Sequence, residues 1–263
     1  MRITDLRPTF LITCLALLAT GCSPCAFSEE DEDADGLSCE IEIELGTDPA
    51  LSDSDQDGYL DGDEVTEGSD PTDAASLIYT GGWPYNSNKD SIDFPGWDST
   101  AEEGAQLPHF EAVDQYGDIV DMYDFSGHDR PVILDMGTIW CAPCKGMAAY
   151  LSDGDTAHVE EYAWWESEYE GLYDAVRDGD IFWVTVLFST GGSGPADQSH
   201  SEQWHEDYPN PQIPVLADEG LDLYNWIDVS AYPVLNLLDA DFDLEIYQNS
   251  GPYSVLRELP DIL

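Results

Sequence analysis

Two cysteines three residues apart, set at the end of an apolar run, constrain this chain more than any other feature. Residues 131–136 carry Val132-Ile133-Leu134, a buried-strand pattern, and Trp140-Cys141-Ala142-Pro143-Cys144-Lys145 follows. Pro143 can open a helix without needing an N–H partner, so the order predicts strand, tight turn, helix. Cys141 then stands at the helix start, where free N–H groups and the positive dipole end favour thiolate over thiol. Pairs of this kind lower a cysteine pKa from about 8.5 into the range of roughly 3.5–7.5. Cys141 is therefore expected as an exposed nucleophile, and Cys144, one helical turn on, as the thiol that closes a disulfide.

Further runs surround this unit. Residues 181–188 form a second buried-strand pattern, and residues 234–238 and 244–247 form two more, split by the turn-like Asp239-Ala240-Asp241. Between the first two, Tyr162, Trp165, Tyr169, Leu172, Tyr173 and Val176 recur at three and four residues, which predicts a helix. Alternation of this kind implies an α/β fold with a mixed central sheet and helices on both faces. Asp135 interrupts an apolar strand. Burial there raises a carboxyl pKa toward neutrality, which suits a proton acceptor.

The Trp-Cys-Ala-Pro-Cys-Lys run resembles the active site of the thioredoxin superfamily. Residues 104–110 and 114–120 resemble the front hairpin of redoxin and TlpA-like proteins. The resemblance implies a thioredoxin fold over residues 104–263 and thiol–disulfide exchange that needs no cofactor. In it, Cys141 attacks, Cys144 resolves, Asp135 relays a proton to Cys144, and Tyr232-Pro233 matches the cis-proline that faces the cysteines. Tyr232 stands where threonine is common. Trp140 and Tyr232 would contact substrate, Trp140 mainly as packing. The implied partners are disulfide- or dithiol-containing proteins and an upstream electron donor or acceptor.

The same residues bear on other chemistries. A structural zinc site needs four ligands, yet residues 104–263 hold no second cysteine pair, and His128 and His158 lack motif spacing. The peroxiredoxin signature P-x-x-x-T-x-x-C finds Thr138 and Cys141, but Leu134 replaces its proline. A third reading is a non-enzymatic calcium module whose cysteine pair is inert.

Residues 31–76 hold an internal repeat. Asp31-Glu32-Asp33-Ala34-Asp35-Gly36 recurs as Asp53-Ser54-Asp55-Gln56-Asp57-Gly58, with Glu42 and Glu64 at loop position 12. Both copies match D-x-D-x-D-G-x5-E, which gathers the oxygens calcium requires. Position 9 is Cys39 in the first copy and Asp61 in the second, where Asp61 is expected to serve its own loop. Each copy ends on Gly-[Thr/Ser]-Asp-Pro, and together they resemble bacterial thrombospondin type 3-like calcium repeats. The implied cofactor is calcium, held by Asp31, Asp33, Asp35 and Glu42, and by Asp53, Asp55, Asp57, Asp61 and Glu64.

The remaining organisation follows from composition. Arg2, Arg7 and an apolar run over 10–19, ending Leu18-Ala19-Thr20-Gly21-Cys22, read as an export signal over 1–21 that resembles a lipobox, with Cys22 as the lipidated residue. That implies an extracytoplasmic bacterial lipoprotein, facing the periplasm or on the outer membrane. In an oxidising compartment Cys25 and Cys39 are expected to pair, closing a loop worth roughly 3 kcal/mol. Residues 22–76 form the repeat segment and 77–103 a connector whose Trp83, Tyr85, Phe94 and Trp97 are expected to pack onto 104–263. Seven basic against 56 acidic residues give a net charge of −49. Such a surface opposes nucleic acid and anionic membrane docking, and favours a monomer. It also opposes thiolate formation, which points to a reducing poise.

Overall fold

The computed structural model describes residues 31–189 and 194–262. The export signal, Cys22 and Cys25 lie outside the described residues. Two aspartate-rich loops come first, each followed by a short helix, α1 (Cys39–Leu45) and α2 (Asp61–Glu67). Both helices end on a glycine in the left-handed region, Gly46 at φ 99° and Gly68 at φ 93°, a conformation that favours a residue without Cβ.

The connector lends Tyr79, Trp83 and Ala101 to the core, with Tyr85 and Phe94 half-buried against it and Trp97 39% exposed. Trp83 is 3% exposed, and its indole N–H donates to Asp114 Oδ2 at 2.8 Å. Tyr79 donates to Asp124, whose buried carboxylate also takes Lys89 Nζ at 2.6 Å. Phe94 stacks on His109 with ring centroids 4.6 Å apart. Trp83→Ala should therefore cost about 3–5 kcal/mol in denaturant unfolding, as for a buried aromatic. A free linker would lose nothing.

Residues 111–262 build an eight-stranded sheet. A front hairpin, β1 (Glu111–Val113) and β2 (Ile119–Asp121), leads into β3 (Val132–Thr138) and helix α3 (Ala142–Asp153). Helix α4 (Leu172–Asp178), β4 (Phe182–Ser189), α5 (Gln198–Asp207), β5 (Val215–Ala217) and α6 (Asp222–Ile227) follow. The chain closes with β6 (Ala231–Leu238), β7 (Leu244–Ile246), β8 (Ser250–Gly251) and α7 (Tyr253–Ile262). Strand order is β2-β1-β5-β4-β3-β6-β7, with β8 beside β6. The unit β3-α3-β4 is parallel, and β6 runs antiparallel to β3 and β7 and parallel to β8 before α7 packs back. This mixed sheet with flanking helices is a thioredoxin fold. No helix among the described residues is long and apolar enough to cross a membrane.

One expected element is different. The aromatic spacing over 162–176 predicts a helix, but the chain there runs through turns and a 3-10 segment (Ser167–Tyr169), and α4 begins only at Leu172. Tyr162 and Trp164 stack with centroids 5.4 Å apart. Residues two apart do not face each other on a helix. Trp165 instead meets Tyr150 of α3 at 4.8 Å, edge to face. The spacing encodes an aromatic cluster over α3, not one continuous helix.

Candidate active site

Strand β3 alternates between two apolar layers because successive strand residues face opposite ways. Val132, Leu134 and Met136 join one layer; Ile133 joins the other, together with Cys141, Cys144 and Met147. Asp135 shares the face of Ile133, the side covered by the helix that carries the cysteines. Gly137 lies two residues further along that face. A Cβ there would stand 3.5 Å from Cys144 Sγ, so Cys144 rests against the strand backbone.

Cys141 and Cys144 are joined by a disulfide with Cα atoms 5.3 Å apart. Cys141 is the N-cap of α3, and the Cys144 N–H donates to its sulfur at 3.2 Å. The expectation of an exposed Cys141 is corrected: it is 4% exposed. The bond to Cys144 draws its sulfur into the apolar layer. What is exposed is Trp140, at 50%, which meets Tyr232 edge to face at 5.3 Å.

Tyr232–Pro233 is a cis peptide. The antiparallel β3–β6 register ends at Met136 opposite Val234, and Pro233 directly precedes Val234 on β6. Tyr232 continues through Phe188, at 5.4 Å, to Tyr224, at 4.7 Å from Phe188. The strand register thus brings Cys141, Cys144, Trp140, Tyr232 and Pro233 to one end of the sheet.

Asp135 is 2% exposed, and burial raises its pKa from 3.8 to about 7. It pairs across the sheet with Thr185 on β4 and Leu235 on β6. The Thr185 hydroxyl donates to Oδ2 at 3.4 Å and accepts from Trp183 Nε1 at 3.3 Å. The other carboxylate oxygen, Oδ1, is buried without a hydrogen-bond partner. Such a group holds its proton near neutrality and can exchange it with a neighbour. Thr185, Trp183 and Gly137 are not singled out by sequence spacing. A lone threonine within the apolar 181–188 run is the signal that marks Thr185.

The repeat loops have matching backbones. Gly36 and Gly58 lie at φ 97° and 106°, and Ala34 and Gln56 at φ 67° and 65°. The first aspartate of each loop folds its carboxylate over two backbone N–H groups, Asp31 over Ala34 and Gly36, Asp53 over Gln56 and Gly58. Ligand-type oxygens gather as Asp31, Asp33 and Asp35, as Asp35, Glu42 and Asp61, and as Asp53, Asp55 and Asp57. Glu42, Glu64 and Asp61 are fully buried. Both Glu42 oxygens, both Asp33 oxygens, and single oxygens of Asp35, Asp55, Asp57 and Glu64 are buried without partners. This donor set fits a hard, oxygen-seeking cation. Asp61, expected to serve the second loop, stands with Asp35 and Glu42 of the first. Cys39 is buried and disulfide-bonded, and the expected pairing with Cys25 lies outside the described residues.

A separate group joins His109, Glu111 and Asp121 on the front hairpin. His109 Nε2 lies 3.0 Å from Asp121 Oδ2, and Lys89 Nζ lies 3.6 Å from the same oxygen. The lysine supplies the positive charge that this carboxylate needs.

No family model and no curated protein matches the sequence. Solved structures do align. The thioredoxin domain of a thiol-disulfide oxidoreductase from Bacteroides vulgatus covers 61% of this chain and 99% of its own, at 16% identity and TM-score 0.42. An exposed lipoprotein thioredoxin from Streptococcus pneumoniae covers 59% and 99%, at 21% identity and TM-score 0.40. A secreted disulfide oxidoreductase from Mycobacterium tuberculosis covers 59% and 93%, at 19% identity and TM-score 0.39.

Proposed function

We propose that this protein is a thiol–disulfide oxidoreductase, lipid-anchored outside the cytoplasm through Cys22 and carrying calcium in its repeat segment. The observation that carries the redox reading is the Cys141–Cys144 disulfide capping α3 above a buried Asp135. In the reduced protein the helix start favours the Cys141 thiolate. That thiolate attacks one sulfur of a substrate disulfide. A Cys141–substrate bond forms as the substrate S–S bond breaks, and the second substrate sulfur leaves as thiolate. Cys144 gives up its proton, with Asp135 as the acceptor on the same face. Its thiolate then attacks Cys141, reforms the internal disulfide and releases the reduced substrate. Run backwards, the same steps oxidise a dithiol. Trp140, Tyr232 and Pro233 offer the surface on which the substrate chain lies.

The calcium reading rests on the buried, unpartnered carboxylate oxygens of both loops. Asp31, Asp33, Asp35 and Glu42 would hold one ion, and Asp53, Asp55, Asp57 and Glu64 another. The ion supplies charge that lets these carboxylates stay buried together, and it would stiffen the segment between anchor and redox domain.

A redox titration of the full chain in glutathione buffers, read by maleimide labelling, tests the catalytic role. A midpoint between roughly −120 and −270 mV is expected, the span of thioredoxin-like catalysts. Cys141→Ser should abolish exchange, and Cys144→Ser should accumulate mixed disulfides with client proteins. A pair that stays oxidised far below −300 mV would be a structural staple.

A further inference from the structure

We propose that Asp61 of the second repeat is a ligand of the first repeat's calcium site, so that one ion welds the two repeats together. The inference rests on the calcium reading and assigns a ligand across the repeat boundary. Asp35, Glu42 and Asp61 bring ligand oxygens within 4.8 Å of one another, and all three residues are buried. Glu42 is 0% exposed, with both oxygens unpartnered. A fully buried carboxylate without a partner is costly unless a cation meets it. Asp35 also belongs to the group with Asp31 and Asp33, so it is shared by the two groups.

Asp61 is held in place from its own repeat. Its Oδ1 accepts from the Ser54 N–H at 2.8 Å and its Oδ2 from the Ser54 hydroxyl at 2.7 Å. The next residue, Gly62, packs backbone to backbone on the first loop: a Cβ there would stand 2.0 Å from the Asp35 carbonyl oxygen. One oxygen each from Asp31, Asp33, Asp35 and Asp61, the Leu37 carbonyl at loop position 7, and two from Glu42 make about seven, within calcium's usual six to eight.

The assignment also accounts for the difference between the copies. Position 9 of the second loop reaches back to the loop before it. Residues 1–30 contain no D-x-D-x-D-G loop for position 9 of the first to reach. That position is Cys39, buried and disulfide-bonded. A covalent bond closes the end of the array where a carboxylate would have no ion to meet, as terminal repeats depart from the internal pattern.

Calcium titration of the calcium-stripped full chain tests this by calorimetry in two backgrounds. Glu64→Gln disables the second site and Glu42→Gln the first. Asp61→Asn should weaken the remaining site by about tenfold or more in the Glu64→Gln background and leave it within about twofold in the other. Gly62→Ala keeps every carboxylate and should weaken the same first site, which guards against misfolding of the asparagine variant. If Asp61→Asn acts in the Glu42→Gln background instead, or in neither, the cross-repeat ligand is overturned while the calcium reading stands. If the parent chain binds no calcium, both fall.

Discussion

Asp135→Asn is expected to stabilise the protein at pH 8 and leave it unchanged at pH 4. An unfolded chain gives up the aspartate proton near pH 3.9, whereas the folded protein holds it to about pH 7 because the carboxyl is buried. Between those values the folded state binds the extra proton, so stability falls as pH rises. Above pH 7 the full penalty is present, about 4 kcal/mol for a shift of this size. Asparagine keeps an acceptor for the Thr185 hydroxyl and carries no charge, so it removes that penalty.

The same substitution should slow thiol–disulfide exchange. A positioned proton acceptor contributes ~10²–10⁴-fold, and Asp135 accepts only when ionised. Wild-type turnover should therefore rise through pH 7, and the asparagine variant should lose about 100-fold at pH 8 together with that rise. Urea unfolding at pH 4 and pH 8, with stopped-flow exchange across pH 6–8, reads both effects. Equal destabilisation at both pH values would make Asp135 a packing residue.

Calcium removal should produce the second large effect. Saturating each site at a hundredfold its dissociation constant contributes about 2.7 kcal/mol, so chelating two ions removes about twice that from the repeat segment. Residues 31–76 should become sensitive to protease in chelator and resistant in calcium. The effect should grow with pH. Burial raises Glu42 and Glu64 to about 7 in the calcium-free protein, reinforced for Glu42 by Asp33, Asp35 and Asp61. Folded carboxyls with raised pKa lose stability as pH climbs from about 4.5 toward 7, and the ion replaces the protons that would be lost. Chelation should thus matter more at pH 8 than at pH 5. Its effect should reach the core, because Tyr59, at loop position 7, donates its hydroxyl to the Trp83 carbonyl at 2.7 Å. Identical digestion with and without calcium would remove the ion from the account.

The legible parts of this protein are those encoded by near neighbours in the chain. Val132-Ile133-Leu134 followed by Cys-Ala-Pro-Cys announces a strand, a turn and a helix whose first turn holds both sulfurs. The D-x-D-x-D-G copies announce two tight loops with inward carboxylates, and four of the apolar runs become β3, β4, β6 and β7 with shifts of a few residues at their ends. The aromatic residues at 162–176 were harder. Their three-and-four spacing is compatible with a helix and with a cluster, and only the fit of Trp165 against Tyr150 selects the cluster.

By itself, then, the sequence determined the local chemistry: which residues could carry a redox pair, a proton and a divalent ion, and that a mixed α/β sheet would present them. Tertiary structure decided which groups meet. Parallel register sets Thr185 beside Asp135, antiparallel register sets Val234, next to Pro233, opposite Met136, and Asp61, beside the close backbone approach at Gly62, stands with Asp35 and Glu42 of the preceding loop. It also decided that Tyr79, Trp83 and Ala101 of the connector belong to the core and that Cys141 is covered when oxidised. The physical reason is range. Backbone preferences and side-chain period act over a few residues, whereas register and burial arise only when distant segments exclude water together.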